Sequence, residues 1–175
     1  MTKTRQVKNK RRIPARITIK EPGVVEVFSL PPLFRKAVNE DYAFYDKKVQ
    51  KIILDRNSLW HLLAAKLNKD RIILTGCNRE GNIIGVLLGA LNLDGVGTVN
   101  WLFVLPEYRK KGIARKMLSM VEKDFLKRGC HKLVVTSEIA SEFYRKIGYE
   151  REGLLKNHWW GKNFYIFSKV LKKRS

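Results

Sequence analysis

The sequence predicts a single mixed α/β domain of the α+β kind, with a mostly antiparallel central sheet of about seven strands flanked by helices. Three observations carry that expectation. The chain has 175 residues, a length suited to one domain, and 45% hydrophobic content, enough to fill a core. Apolar residues recur at helical spacing as far as Lys69. From Arg71 onward the period becomes that of strands joined by tight turns, after which helical and strand patterns alternate to the end.

Taken in order, Ile17 and Ile19 alternate with polar residues, Pro22-Gly23 supplies a turn, and Val24-Val25-Glu26-Val27-Phe28 is β-branched and apolar, which predicts a hairpin or strand pair. Pro31-Pro32 opens a region of two or three helices: Val49, Ile52 and Ile53, then Leu59, Leu62, Leu63 and Leu67, keep helical spacing, with Asn57 or Ser58 placed to cap the last. Residues 71–77, 83–93 and 98–105 form a meander, because 78–82 and 94–97 are Gly-, Asn- and Asp-rich turns. Pro106-Glu107 stops the third strand. Ile113, Met117, Met120, Val121 and Phe125 then mark a helix ending near Gly129. A short strand at 132–136, a short helix at 139–147 closed by Gly148, and strands around 149–155 and 164–171 complete the pattern.

Composition narrows the function classes. No stretch approaches the roughly 18 apolar residues of a membrane span, and the basic N-terminus lacks a signal core, so a cytoplasmic protein without membrane contact is expected. Cys77 and Cys130 are too few to staple the domain, and His61, His131 and His158 lack metal-ligand spacing, so no metal is expected; Cys130 reads as a packed residue at a helix–strand junction. The net charge of +20 implies anionic company. Eight cations and no acid lie in residues 1–20, and Lys169, Lys172, Lys173 and Arg174 crowd the end. The expected division is a basic arm at 1–12, a folded domain at 13–171 and a basic tail at 172–175.

The chemistry concentrates after the third meander strand, in Val104-Leu105-Pro106-Glu107-Tyr108-Arg109-Lys110-Lys111-Gly112-Ile113-Ala114-Arg115. A strand, a turn and a helix start carrying a glycine leave backbone N–H groups open to a closely approaching anion, and Arg109, Lys110, Lys111 and Arg115 add positive charge. By itself a basic helix start serves equally well as a solvated face.

Arg109-Lys110-Lys111-Gly112-Ile113-Ala114 after Val104-Leu105-Pro106-Glu107-Tyr108 resembles the Gln/Arg-x-x-Gly-x-Gly/Ala hallmark of the GNAT superfamily of N-acetyltransferases and the strand before it. A second family element, a small residue before Phe-Tyr-x-x-x-Gly-Phe/Tyr, is matched by Ala140 to Tyr149, about 30 residues on. The resemblance covers residues 71–171 well and the earlier region by element order. It implies an acetyl-CoA-dependent N-acetyltransferase acting through a ternary complex. It further implies that backbone groups of Leu102, Phe103 and Val104 pair with the pantetheine arm, and that the N–H groups across Lys110, Lys111, Gly112, Ile113, Ala114 and Arg115 hold the pyrophosphate. The reaction so implied is attack of a neutral amine on a thioester, with a backbone N–H at Val104 or Leu105 facing the oxyanion and Tyr144 as the acid that protonates the leaving thiolate. Residue pattern alone also allows Tyr144 to pack with Ala140, Phe143 and Ile147 on a helix face.

The general base is less defined. The polar positions of the third meander strand are Thr98 and Asn100, and Ser137 stands where many relatives have asparagine. Glu138, His158, a water relay or no dedicated base are the alternatives. A base matters less for an α-amine of pKa about 8, roughly a tenth neutral at pH 7, than for a lysine. That favours a peptide or protein N-terminus or another low-pKa amine. The segments around Tyr42, Phe44 and Tyr45 and around His158, Trp159 and Trp160 are candidate acceptor walls, and the charge favours a neutral or acidic acceptor. The rival reading is a nucleic-acid- or ribosome-associated protein that contacts phosphates through Lys8-Asn9-Lys10-Arg11-Arg12 and Lys172-Lys173-Arg174, with the fold as scaffold.

Overall fold

A computed structural model describes residues 17–138 and 141–172; the basic arm, the motif residue Ala140 and the last three residues fall outside the described residues. Strands β1 (Thr18–Lys20), β2 (Arg71–Cys77), β3 (Ile83–Leu91), β4 (Val96–Val104), β5 (Lys132–Ser137), β6 (Glu150–Trp159) and β7 (Lys162–Val170) form one sheet in the order β1-β2-β3-β4-β5-β7-β6. All neighbours are antiparallel except β4 and β5, which are joined by a helical crossover and are therefore parallel. The helices are α1 (Val24–Val27), α2 (Leu30–Asp41), α3 (Lys47–Arg56), α4 (Leu59–Leu67), α5 (Ile113–Lys127) and α6 (Ser141–Lys146).

One expectation fails near the N-terminus. Ile17 precedes and Ile19 lies within a strand that pairs with β2, but Val24–Val27 is a helical turn and not a second strand. The Glu26 carboxylate accepts the Gly23 N–H at 2.8 Å, closing a capping contact that nucleates the turn, and only Val27 of the apolar run is fully buried. Local hydrogen bonding overrides β-propensity there. Ser58 takes the N-cap position of α4, while Asn57 donates its side-chain amide to the Ile53 carbonyl at the end of α3.

The crossover helix α5 carries the core. Ile113, Met117, Leu118, Val121 and Phe125 are buried against the sheet. A Cβ on Gly97 would collide with the Phe125 ring, so the glycine sets how closely α5 approaches β4. Cys130 is buried just beyond the helix, its thiol donating to the Lys132 carbonyl. On the opposite face Leu30, Leu33, Phe34, Ala37 and Val38 of α2 cover the meander. No helix among the described residues is long and apolar enough to cross a membrane.

Candidate active site

β4 and β5 pair only over Val96–Val99 and Lys132–Val135, and beyond those residues each strand runs on unpaired with the other. The parting coincides with a bulge in β4: Val99 lies opposite Gly89 and Trp101 opposite Leu88, leaving Asn100 without a partner in β3. A cleft of about 440 Å³ opens there, lined by the ends of both strands, the start of α5, the end of α2 and α6.

The Leu105 N–H donates to the Ile84 carbonyl at 2.9 Å, and Val104 stands opposite Gly85. Because an antiparallel ladder alternates, Trp101 and Phe103 spend their backbone groups on β3 whereas Leu102 and Val104 turn theirs to the cleft. The Val104 carbonyl accepts Arg109 Nε at 2.8 Å. The Val104 N–H and both backbone groups of Leu102 thus face the opening, ready for a chain laid alongside as an added strand. Between the two expected oxyanion donors the ladder discriminates: Leu105 is engaged by β3, and Val104 points inward. Phe103 contributes cleft lining, with its main chain turned away.

After β4 the chain makes a 3₁₀ turn at Pro106–Tyr108 and then bends twice through the left-handed region, at Lys110 with φ 60° and at Gly112 with φ 78°. Gly112 is the N-cap of α5 and brings no side chain to it; the first helical bond runs from the Lys116 N–H to the Gly112 carbonyl. The N–H groups of Ile113, Ala114 and Arg115 therefore project at the positive end of a helix of 15 residues. A Cβ built on Gly112 meets nothing within 4 Å, so the space before these donors is open. This cradle suits a pyrophosphate.

The basic residues of the loop divide. Lys110 and Arg115 line the cleft. Lys111 does not: its ammonium donates to the Glu107 carbonyl at 2.8 Å and lies 4.8 Å from the centre of the Tyr108 ring. Arg109 is a strut as well as a lining residue. Its Nη2 donates to both carboxylate oxygens of Asp41 at 2.9 Å, so the loop is tied to the last residue of α2. The sequence offered no signal for Asp41, 68 residues away from its partner.

Across the cleft, Tyr144 on α6 is 5% exposed, stacked on Phe167 with ring centroids 5.4 Å apart. Burial, with a smaller contribution from Tyr42, pushes its phenol well above the ordinary range, so it stays protonated. Packing and proton donation are thus compatible, since the ring is fixed while the residue still lines the cleft. Glu138 lines the cleft just beyond β5, half-buried and without an ion pair among the described residues. His158 is exposed on β6, edge-on to Phe164, and is not part of the lining.

The two expected aromatic walls meet. Tyr42 stacks on Trp101 at 5.3 Å and on Tyr45 at 6.1 Å, and Tyr45 reaches Trp160 edge-on at 6.0 Å. Tyr42 and Phe44 border the cleft; Tyr45 and Trp160 stand behind them as support. Burial first, then Asp41, Tyr45 and Glu138, push the Tyr42 phenol up to about 12. Trp101 is the wall residue that sequence reasoning missed, because inside a strand it reads as core, which it also is.

Solved structures share this architecture. PaiA N-acetyltransferase from Thermoplasma acidophilum, in complex with coenzyme A, superposes with a TM-score of 0.76 at 21% identity over 89% of this chain and 99% of that one. An aminoglycoside 6'-N-acetyltransferase complexed with coenzyme A gives 0.66 at 18% identity over 90% and 99%. The ribosomal-protein-S18-alanine N-acetyltransferase from Escherichia coli gives 0.67 at 12% identity over 91% and 97%. At these identities the likeness speaks for the fold. The sequence itself matches the family described as "Acetyltransferase (GNAT) family" over residues 33–149, a stretch reaching from α2 through the parted strands to the end of the Phe-Tyr element. This chain therefore belongs to the GNAT family of acetyltransferases.

Proposed function

We propose that the protein transfers an acetyl group from acetyl-CoA to a primary amine, within a ternary complex. The observation that carries the reading is the continuity of one binding surface: the inward N–H of Val104 and backbone of Leu102 run directly into the uncapped start of α5. The coenzyme, when bound, supplies the acetyl thioester. Leu102 would pair with its pantetheine amides through both backbone groups, the Val104 N–H being left for the thioester oxygen, and the N–H groups from Lys110 to Arg115 would hold its pyrophosphate with help from the Lys110 and Arg115 side chains.

The Val104 N–H stabilises charge developing on the thioester oxygen. As the amine nitrogen bonds to the carbonyl carbon and the carbon–sulfur bond breaks, Tyr144 gives its proton to the departing sulfur. Glu138, or water it orients, takes the proton from the amine; exposed His158 drops out of this role. The charge of +20 repels polycationic acceptors and so favours neutral or acidic ones, an acidic peptide N-terminus or a small amine among them. Two buried free cysteines fit the reducing conditions of a cytoplasm.

Calorimetry of acetyl-CoA against nucleic-acid-free protein at two salt concentrations tests the coenzyme site, with ATP as control polyanion. Salt-resistant, one-to-one binding not reproduced by ATP is expected, followed by amine-dependent thiol release with peptide and small-amine acceptors. Binding that vanishes with salt as ATP's does would reduce the loop to a basic surface.

A further inference from the structure

Apart from Arg115 at its start, the outer face of α5 plays no part in the proposed chemistry. Its inner stripe is core, and its two acids are both consumed at the flanks: Glu122 accepts from Tyr149 at 3.0 Å and Lys169 at 2.8 Å, and Asp124 pairs with Arg128. What remains facing solvent is Arg115, Lys116, Lys123 and Lys127, all exposed and none in an ion pair among the described residues. From Arg115 to Lys127 the helix rises about 18 Å.

The stripe is continued at both ends. Lys110 stands exposed in the loop before it. At the other end Arg128 shares a shallow depression with Lys66, Lys69 and Arg71, where the one acid, Glu21, is already paired with Lys66. The result is a cationic track, one helix wide, running from the coenzyme loop past the end of α5 to the start of β2.

We propose that this track binds a nucleic-acid phosphodiester backbone. A row of exposed cations along one helix, whose own acids Glu122 and Asp124 are already engaged by Tyr149, Lys169 and Arg128, is the complement of a linear polyanion. Its narrowness argues against a lipid surface, which calls for apolar residues that insert beside the charges. Among the described residues of the track only Met120 on the helix and Leu67 at the depression are exposed large hydrophobic residues. The track is made of residues other than those of the basic ends in the sequence, and RNA and DNA share the chemistry it recognises.

The test compares the full chain with Lys116→Gln/Lys123→Gln/Lys127→Gln, three substitutions that keep helix propensity and spare the coenzyme loop. Fluorescence anisotropy with 20-mer single-stranded RNA, single-stranded DNA and duplex DNA is read from low to moderate salt, and acetyl-CoA affinity and the thermal midpoint are measured in parallel. The track predicts at least a tenfold loss of affinity at low salt. It also predicts a log–log salt slope shallower by about 2 on single strands, at about 0.7 for each phosphate no longer neutralised, with acetyl-CoA affinity and the midpoint unchanged. The three probes rank the source. A variant that binds every probe as the parent does, with the same slope, overturns the proposal and moves any nucleic-acid binding to the chain ends. Absence of nucleic-acid binding by the parent overturns it as well, as does binding confined to phosphatidylserine vesicles run alongside. A variant that unfolds is replaced by the three single substitutions, each of which should lower the slope by a fraction of the total.

Discussion

In the proposed mechanism Tyr144 does two jobs with two parts of one side chain: the ring stacks on Phe167, and the hydroxyl would protonate the leaving thiolate. Replacing it with phenylalanine keeps the first part, so the fold and the acetyl-CoA dissociation constant should be unchanged while kcat falls about 10²-fold or more, the range for removal of a general acid. Steady-state kinetics beside calorimetry checks this, and normal turnover removes Tyr144 from the mechanism. Gly112 is the opposite kind of residue, valued for what it lacks. At φ 78° a side chain costs about 1–2 kcal/mol, and a Cβ would project into the open space that the proposed coenzyme site gives to a phosphate. Gly112→Val should weaken acetyl-CoA binding by at least about tenfold by calorimetry and lower the thermal midpoint by a few degrees. Tyr144 and Gly112 were legible in the sequence because each stands at a fixed offset within a short local pattern.

Between elements, the informative contact is the tie from α2 to the coenzyme loop. Asp41 fixes the Arg109 guanidinium, whose Nε holds the Val104 carbonyl beside the N–H assigned to the thioester oxygen. Both partners are partly exposed, so the pair contributes no more than about 1 kcal/mol to stability. Its larger effect is on position. Asp41→Asn should shift the thermal midpoint by less than about 4 °C yet raise the acetyl-CoA dissociation constant several-fold, and an unaltered constant would show that the loop holds its shape alone. A second close approach lies behind the site, where Phe125 of α5 packs over Gly97 of β4. Gly97→Ala forces that ring away and should destabilise the domain by about 1–3 kcal/mol in denaturant unfolding. Neither contact was readable from the sequence, since each joins residues from distant segments whose local patterns carry no trace of the partner.

For the molecule as a whole, pH acts on the buried phenols. Burial raises Tyr42 from 10 to about 12 and lifts Tyr144 and Tyr149 higher still, Tyr149 with added repulsion from Glu122. A group whose folded pKa lies above its unfolded value contributes stability that is complete below the unfolded pKa and is lost as pH rises through the folded one. The thermal midpoint should therefore hold to about pH 9 and fall steeply from about 10 to 12, and absorbance at 295 nm should show part of the tyrosine ionisation delayed until unfolding. Ionisation of every tyrosine near pH 10 without loss of structure would contradict the packing described.

Strands β2 to β5, helix α5, the Arg-x-x-Gly-x-Ala loop and the Phe-Tyr element were determined by the sequence, because their signals are short-range: turn residues, apolar period and motif offsets spanning a few positions. The failure at Val24–Val27 has a local cause too, a capping contact that outweighed β-branched character. Tertiary structure alone decided where β4 leaves β5, that Val104 and not Leu105 faces the cleft, that Arg109 is held by Asp41 while Lys111 folds away, and that Glu138 enters the site where His158 does not. Each of these depends on strand register or on the meeting of segments far apart in the chain, and neither is encoded in the spacing of neighbouring residues.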